Sequence, residues 1–294
     1  MKIADAHCDL LSVGGFDGSC MSLSDMMYFD SFIQFFACFI SPKYYDNAKQ
    51  RFQALKNNYF TMIHDNEKSM MHCRSYSDIL KAESLGRVSC FLSVEGGECI
   101  EEESDIDYMY SLGIRLIAPM WNTENRIGNR RGLTEFGKRV VSKMNDMGIV
   151  TDVSHMSDAV FYDVCSLSDK PIFASHSNSR AVFGAGRNLA DWQAKEIIRR
   201  GGFIGLNLYP PFLNGGKVAE IDDFLRHAYH FLSLGGEDNI GLGCDFDGMD
   251  CVMRDIFSVR DVEKIFIKLS CMGIDDSLAG KIAYENLKRA VRLF

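Results

Sequence analysis

Eight short apolar runs, most of them separated by stretches with helical character, limit what this chain can fold into more than any other feature. They are KIADAH (2–7), FIQFFACFI (32–40), VSCFLSVE (88–95), IRLIAPM (114–120), IVTDVSH (149–155), PIFASH (171–176), GFIGLNL (202–208) and IGLGCDF (240–246). A strand buried on both faces of a parallel sheet reads as a continuous apolar run, and parallel neighbours need a crossover, usually a helix, between them. Eight such units close a barrel, and 294 residues lies within the size range at which these barrels stay undivided. The expected fold is therefore α/β, one TIM-like (β/α)₈ barrel over residues 1–294, with no linker, composition break or internal sequence repeat.

The crossovers carry their own signals. TEFGKRVVSKMNDMG sets Phe136, Val140, Val141 and Met144 on one helical face and stops at Gly148, a residue suited to the left-handed end of a helix. DNAKQRFQALKNNYFTMIHDN and the terminal SLAGKIAYENLKRAVRLF are expected to be helices too, while DIDYMYSLG and DDFLRHAYHFLSLGG close on glycine.

A net charge of −8, with NRRG as the densest basic cluster, argues against a nucleic-acid surface, which needs clustered Lys and Arg. No run approaches the roughly 18 apolar residues of a spanning helix, and Asp5 interrupts any leader-like start, so no membrane partner is expected. The ten cysteines show no CxxC pair or framework spacing, which points to reduced thiols and a cytoplasmic protein.

Barrel enzymes place their chemistry at the carboxyl ends of the strands. Five of the eight runs end there in a side chain able to bind a metal or move a proton: His7 with Asp9, Glu95, His155, His176 and Asp245. The H-x-D spacing of His7 and Asp9 sets both on one side of an extended strand. Each residue alone is a weak signal, but five strand ends converging on one rim point to a metal site. Three imidazoles with three carboxylates suit Zn²⁺, or Mn²⁺, Co²⁺ or Fe²⁺, and are too rich in nitrogen for a Ca²⁺ or Mg²⁺ cage. The set is too large for one tetrahedral ion, whereas two ions about 3.5–4 Å apart, sharing a carboxylate, accommodate it.

The motifs DAHCDLL, SVEGGECI, DVSHMS, FASHSNSRAV, AGRN and GCDFDG, in this order, resemble the renal (membrane) dipeptidase family, metallopeptidase family M19, in a bacterial-type form. The resemblance covers nearly the whole chain. It implies a barrel of the amidohydrolase-like type and a zinc-dependent dipeptidase with two divalent ions, Zn²⁺ expected, acting through a metal-activated bridging hydroxide on L,L- and also L,D-dipeptides. His7 and Asp9 would hold one ion, His155 and His176 the other, and Glu95 both. Asp245 matches the family's acid/base group, Arg187 matches the arginine that holds the substrate carboxylate, and Tyr209 would line the pocket. Trp121 stands where renal-type members carry a histidine, and an indole has only an N–H donor to offer a substrate carbonyl. The resemblance also makes a homodimer the default. The competing readings are another amidohydrolase-like hydrolase, such as a lactonase, phosphoesterase or TatD-type nuclease, and a non-catalytic metal- or ligand-binding barrel. His64 and His72 read as structural, His227 and His230 as surface positions on one helix, and Cys244 as an inert packed thiol.

Overall fold

The computed structural model describes residues 1–294. Eight parallel strands line the barrel: β1 (Lys2–Cys8), β2 (Ser31–Phe39), β3 (Val88–Glu95), β4 (Leu116–Ala118), β5 (Val150–Thr151), β6 (Phe173–Ala174), β7 (Phe203–Leu206) and β8 (Ile240–Leu242). Their order, β5-β4-β3-β2-β1-β8-β7-β6, is continuous. A parallel bridge between Asp152 and Phe173, with the Val153 amide donating to the Phe173 carbonyl at 2.7 Å, joins β5 to β6 and completes the ring. All eight apolar runs became these strands.

Two features carried no apolar-run signal. Met70–His72 adds a short strand beside the start of β3, with Met70 opposite Val88. Gly128–Asn129 and Gly132–Leu133 pair as a small antiparallel ribbon after β4. Several strands are also shorter than their runs, β5 and β6 having two residues each. Their remaining apolar residues still pack, but the backbone has left the ladder to turn the next polar side chain over the barrel mouth.

The helix Glu135–Met147 forms as its spacing predicts. Thr134 accepts from the Gly137 amide at its start, Gly148 ends it at φ 75°, and Val140, Val141 and Met144 are buried. Ala48–Asp65 buries Phe52, Leu55, Tyr59 and Met62 on one face. The C-terminal stretch departs from a continuous helix: Asp276–Gly280 passes into a π turn at Lys281–Glu285, then Asn286–Ala290 and a final tight turn. This path carries Phe294 against Phe35, Phe91 and Phe173, with ring centroids 5.9 to 6.0 Å apart. Phe35 and Phe91 stack at 4.7 Å beneath it. Aromatic packing thus closes the amino-terminal end of the barrel and leaves the carboxyl end open.

Candidate metal centre

The polar strand ends meet at the open rim. His7 lies in β1 and Asp9 just beyond it; Glu95 is the last residue of β3; His155, His176 and Asp245 follow β5, β6 and β8. Three non-glycine residues of the chain have left-handed backbone: His155 (φ 69°), Asp245 (φ 65°) and Asp247 (φ 64°). Such conformations cost about 1–3 kcal/mol each and persist only where surrounding structure enforces them. Two of the three are strand-end residues singled out by sequence, and the left-handed turn aims each side chain back across the barrel mouth.

Glu95 is the hinge of the arrangement. Its Oε2 lies 3.3 Å from His7 Nε2, while its Oε1 lies 2.8 Å from His155 Nε2 and 3.3 Å from His176 Nε2. His7 Nε2 is 3.5 Å from Asp9 Oδ2 and 3.8 Å from Asp245 Oδ1. The His7 and His176 rings stack at 3.8 Å, and the Nε2 atoms of His155 and His176 stand 2.8 Å apart. Ligand atoms within 4.8 Å of one another group as His7–Asp9–Glu95, Glu95–His155–His176 and His7–His176–Asp245.

These groups fit divalent cations on their own chemistry. His7 Nε2 and Asp9 Oδ1 are buried with no hydrogen-bond partner, a costly state for polar atoms that a cation relieves. Gly248 keeps the space clear, since a Cβ there would fall 2.4 Å from Asp9 Oδ2 and 2.5 Å from Asp245 Oδ1.

Charge and burial divide the titrations. Burial, then the charge of Arg187, pushes His155 down to about 4, and burial with the charge of His7 holds His176 well below its ordinary range, so both rings are neutral. Burial alone would lower His7 as well, but the Glu95 charge and the Asp9 contact hold it well above. Burial would raise Glu95, but the charge of His7 holds it well below its ordinary range and so ionised. Burial, then the Glu95 charge, pushes Asp9 up to about 6. Burial is also the largest influence on Asp245 and, against the opposing charge of His7 and with the Asp9 and Glu95 charges adding to it, pushes it up to about 7.

A cavity of about 520 Å³ opens above these atoms. Phe39 and Trp121, with ring centroids 5.2 Å apart, line it together with Tyr209, Pro211 and Phe212. Trp121 leans toward His155 at 5.7 Å, and the Tyr209 hydroxyl donates to Asp250 at 2.8 Å. Arg187 lies beside Phe212, one of the residues lining the cavity. Its two Nη atoms donate to Ser177 Oγ (2.8 Å) and the His176 carbonyl (2.9 Å), its Cζ lies 5.7 Å from the Phe212 ring centroid, and its Nε is buried without a partner.

Several residues that shape the centre had no signal in the sequence. Asn207 donates to Asp245 Oδ2 at 2.9 Å, and Asn122 meets His155 Nδ1 at 2.8 Å. Asp5, below His7, accepts from the Cys244 amide at 2.8 Å and from Gln34 Nε2 at 3.1 Å, tying β1 to β8 and β2. An amide or acid inside or just past an apolar run is the one cue they share. The surface expectation for His227 is corrected: it is fully buried, accepting from the Ser179 amide (3.0 Å) and donating to the Leu213 carbonyl (2.9 Å), because its helix turns that face toward the core with Phe224 and Phe231. His230 pairs with Asp191 and His72 with Tyr59, both away from the centre. Cys244 is buried, and burial pushes its thiol up.

The family described as membrane dipeptidase (peptidase family M19) matches residues 17–293. A dipeptidase crystal structure, a metallopeptidase of family M19, superposes with a TM-score of 0.92 at 26% identity, covering 99% of this chain and 98% of that one. A metallopeptidase from Rhodobacter sphaeroides, solved with a phosphinate mimic of the dipeptide L-Ala-D-Ala, gives the same TM-score, 0.92, and identity, 26%, over 100% and 99% of the two chains. An uncharacterized protein of Klebsiella pneumoniae is 28% identical over 237 residues, 75% of this chain and 87% of its own.

Proposed function

Because this chain belongs to the membrane dipeptidase family, peptidase family M19, and is a peptide hydrolase, we propose that it cleaves dipeptides at a centre built for two divalent cations. The observation that carries this reading is the division of Glu95, whose two oxygens face separate sets of donors. His7 and Asp9 would hold one cation, His155 and His176 the other, and Glu95 would bridge them. Zn²⁺ suits a donor set so rich in imidazole. When bound, such ions lower the pKa of water and polarise a carbonyl oxygen.

The chain's own groups supply the rest. Asp245, raised to about 7, is poised to take a proton from the attacking water and return it to the leaving amine, as general base and then general acid. The Asn207 amide occupies Oδ2 and leaves Oδ1 turned to the centre. Arg187 would hold the substrate's C-terminal carboxylate; its unpartnered buried Nε supports this role, and a planar guanidinium suits a carboxylate. Held at a fixed distance from the centre, that carboxylate would limit substrates to dipeptides. Trp121 and Tyr209, which both line the cavity, would contact the substrate. Acceptance of a D-residue at the C-terminal position is part of the proposal, on the strength of the L-Ala-D-Ala mimic bound by the Rhodobacter sphaeroides relative. No helix is long and apolar enough to cross a membrane, and ten free cysteines, six of them buried, support a reducing compartment such as the cytoplasm.

The test is amino acid release from L,L- and L,D-dipeptides, with tripeptides alongside, by the Zn²⁺-loaded protein and its Glu95→Gln variant. The expected result is turnover of dipeptides only, lost in the variant. Tripeptide cleavage at a comparable rate, or full activity in Glu95→Gln, would overturn the reading.

A further inference from the structure

Behind His176, on the side away from the cavity, lies a buried chain of polar contacts with a definite direction. Ser175 Oγ is 2.7 Å from His176 Nδ1 and donates to Asp152 Oδ2 at 2.5 Å. The other oxygen of Asp152 accepts the backbone amides of Ser154 and Ser175, each at 3.0 Å. Asp152, Ser175 and His176 are all 3% exposed or less.

A serine hydroxyl carries one proton. With that proton given to Asp152, whose every contact is as an acceptor, the remaining Ser175–His176 contact requires Nδ1–H to donate to Oγ. The order is Nδ1–H to Oγ–H to carboxylate, and Nε2 is left as a bare lone pair facing Glu95 Oε1 at 3.3 Å. His155 is fixed in the same sense, since its Nδ1 faces the Asn122 amide oxygen, an acceptor, at 2.8 Å. Two lone pairs therefore meet 2.8 Å apart beside an ionised carboxylate oxygen, with no proton among the three. That arrangement is repulsive alone and becomes favourable around a cation.

We propose that Ser175 and Asp152 are positioning residues that lock His176 as the Nδ1–H tautomer, and that one of two bound cations depends on this lock. The inference rests on reading His176 as a cation ligand. Outer partners of ligating imidazoles commonly contribute 10–100-fold in metal affinity. Here the carboxylate acts through an interposed hydroxyl, so exchanging the acid for its amide has a distinct consequence. In Asp152→Asn the amide oxygen can keep the two backbone contacts while Nδ2–H donates to Ser175. The serine proton then turns to His176 Nδ1 and drives the ring toward the wrong tautomer, with Nε2–H pointing at the centre.

The experiment measures cation content and affinity by chelator competition, together with the tautomer of His176 from ¹⁵N-labelled histidine spectra of the cation-free protein, and checks each variant's fold by thermal unfolding. Wild type should hold two Zn²⁺ and show His176 as Nδ1–H. Ser175→Ala should weaken one ion by about 10–100-fold and mix the tautomers, Ser175→Thr should restore both, and Asp152→Asn should weaken the same ion further and invert the tautomer. Unchanged affinity and tautomer in folded Ser175→Ala and Asp152→Asn would overturn the proposal. If wild type binds no cation while His176 still reads as Nδ1–H, the ligand reading fails and the tautomer lock survives, so the two failures are distinguishable.

Discussion

The two ends of this barrel solve opposite problems with the same strands. At the amino-terminal end Phe35, Phe91, Phe173 and Phe294 fill the interior with ring contacts. At the carboxyl end the same β3 that contributes Phe91 finishes in Glu95, and β6, which contributes Phe173, leads into His176. That rim bears buried unpartnered atoms, left-handed backbone at His155 and Asp245, and carboxylates held up to about 6 and 7. Packing at one end can offset the strain kept at the other, which is how a fold keeps a reactive site in place.

If that division holds, substitutions at the two ends should fail differently. The largest effect is expected from Glu95→Gln, which should reduce turnover to background and lower cation content while far-UV circular dichroism stays native. Asp245→Asn should keep both cations and lower kcat by about 10²–10⁴-fold; loss of a cation instead would make Asp245 a ligand. Phe91→Ala at the closed end should lower unfolding free energy in urea by about 3–5 kcal/mol. Its kcat/KM per folded molecule should stay near wild type, and a large fall there would show the two ends to be coupled.

A subtler test uses pH. Asp9 and Asp245, raised to about 6 and 7 without cations, keep protons in the folded chain that the unfolded chain has already released above its ordinary carboxylate range. This pair therefore costs the cation-free fold stability as pH rises through that interval, and the cost is fully present at pH 8. Added Zn²⁺ removes it and competes with fewer protons there, so the rise in Tm on adding the metal should be larger at pH 8 than at pH 5. Equal shifts at both values would separate these carboxylates from the cation site.

Much of this was legible in the chain. The eight runs foretold eight strands, because a strand covered on both faces must be apolar throughout, and the polar side chains at the ends of five of them lie together at the rim. The helix over Glu135–Met147 was visible from its periodicity and glycine stop. The small strand at Met70–His72 was not, since three residues carry too little pattern, nor was the π turn at Lys281–Glu285 inside a stretch with helical spacing. His227 was misjudged because helical spacing alone does not tell which face meets the core.

The sequence by itself determined the architecture and the inventory of donors, since strand burial and ligand chemistry are both written in residue type and order. Only the tertiary structure decided which atoms meet: that the two oxygens of Glu95 face different partners, that Arg187 donates to the His176 carbonyl, and that Asp152 reaches His176 through Ser175. Those facts depend on left-handed turns and barrel closure, which bring residues far apart in the chain within a few ångströms. Hydrogen-bond direction is decided at that scale, where a pattern of residue types carries no information.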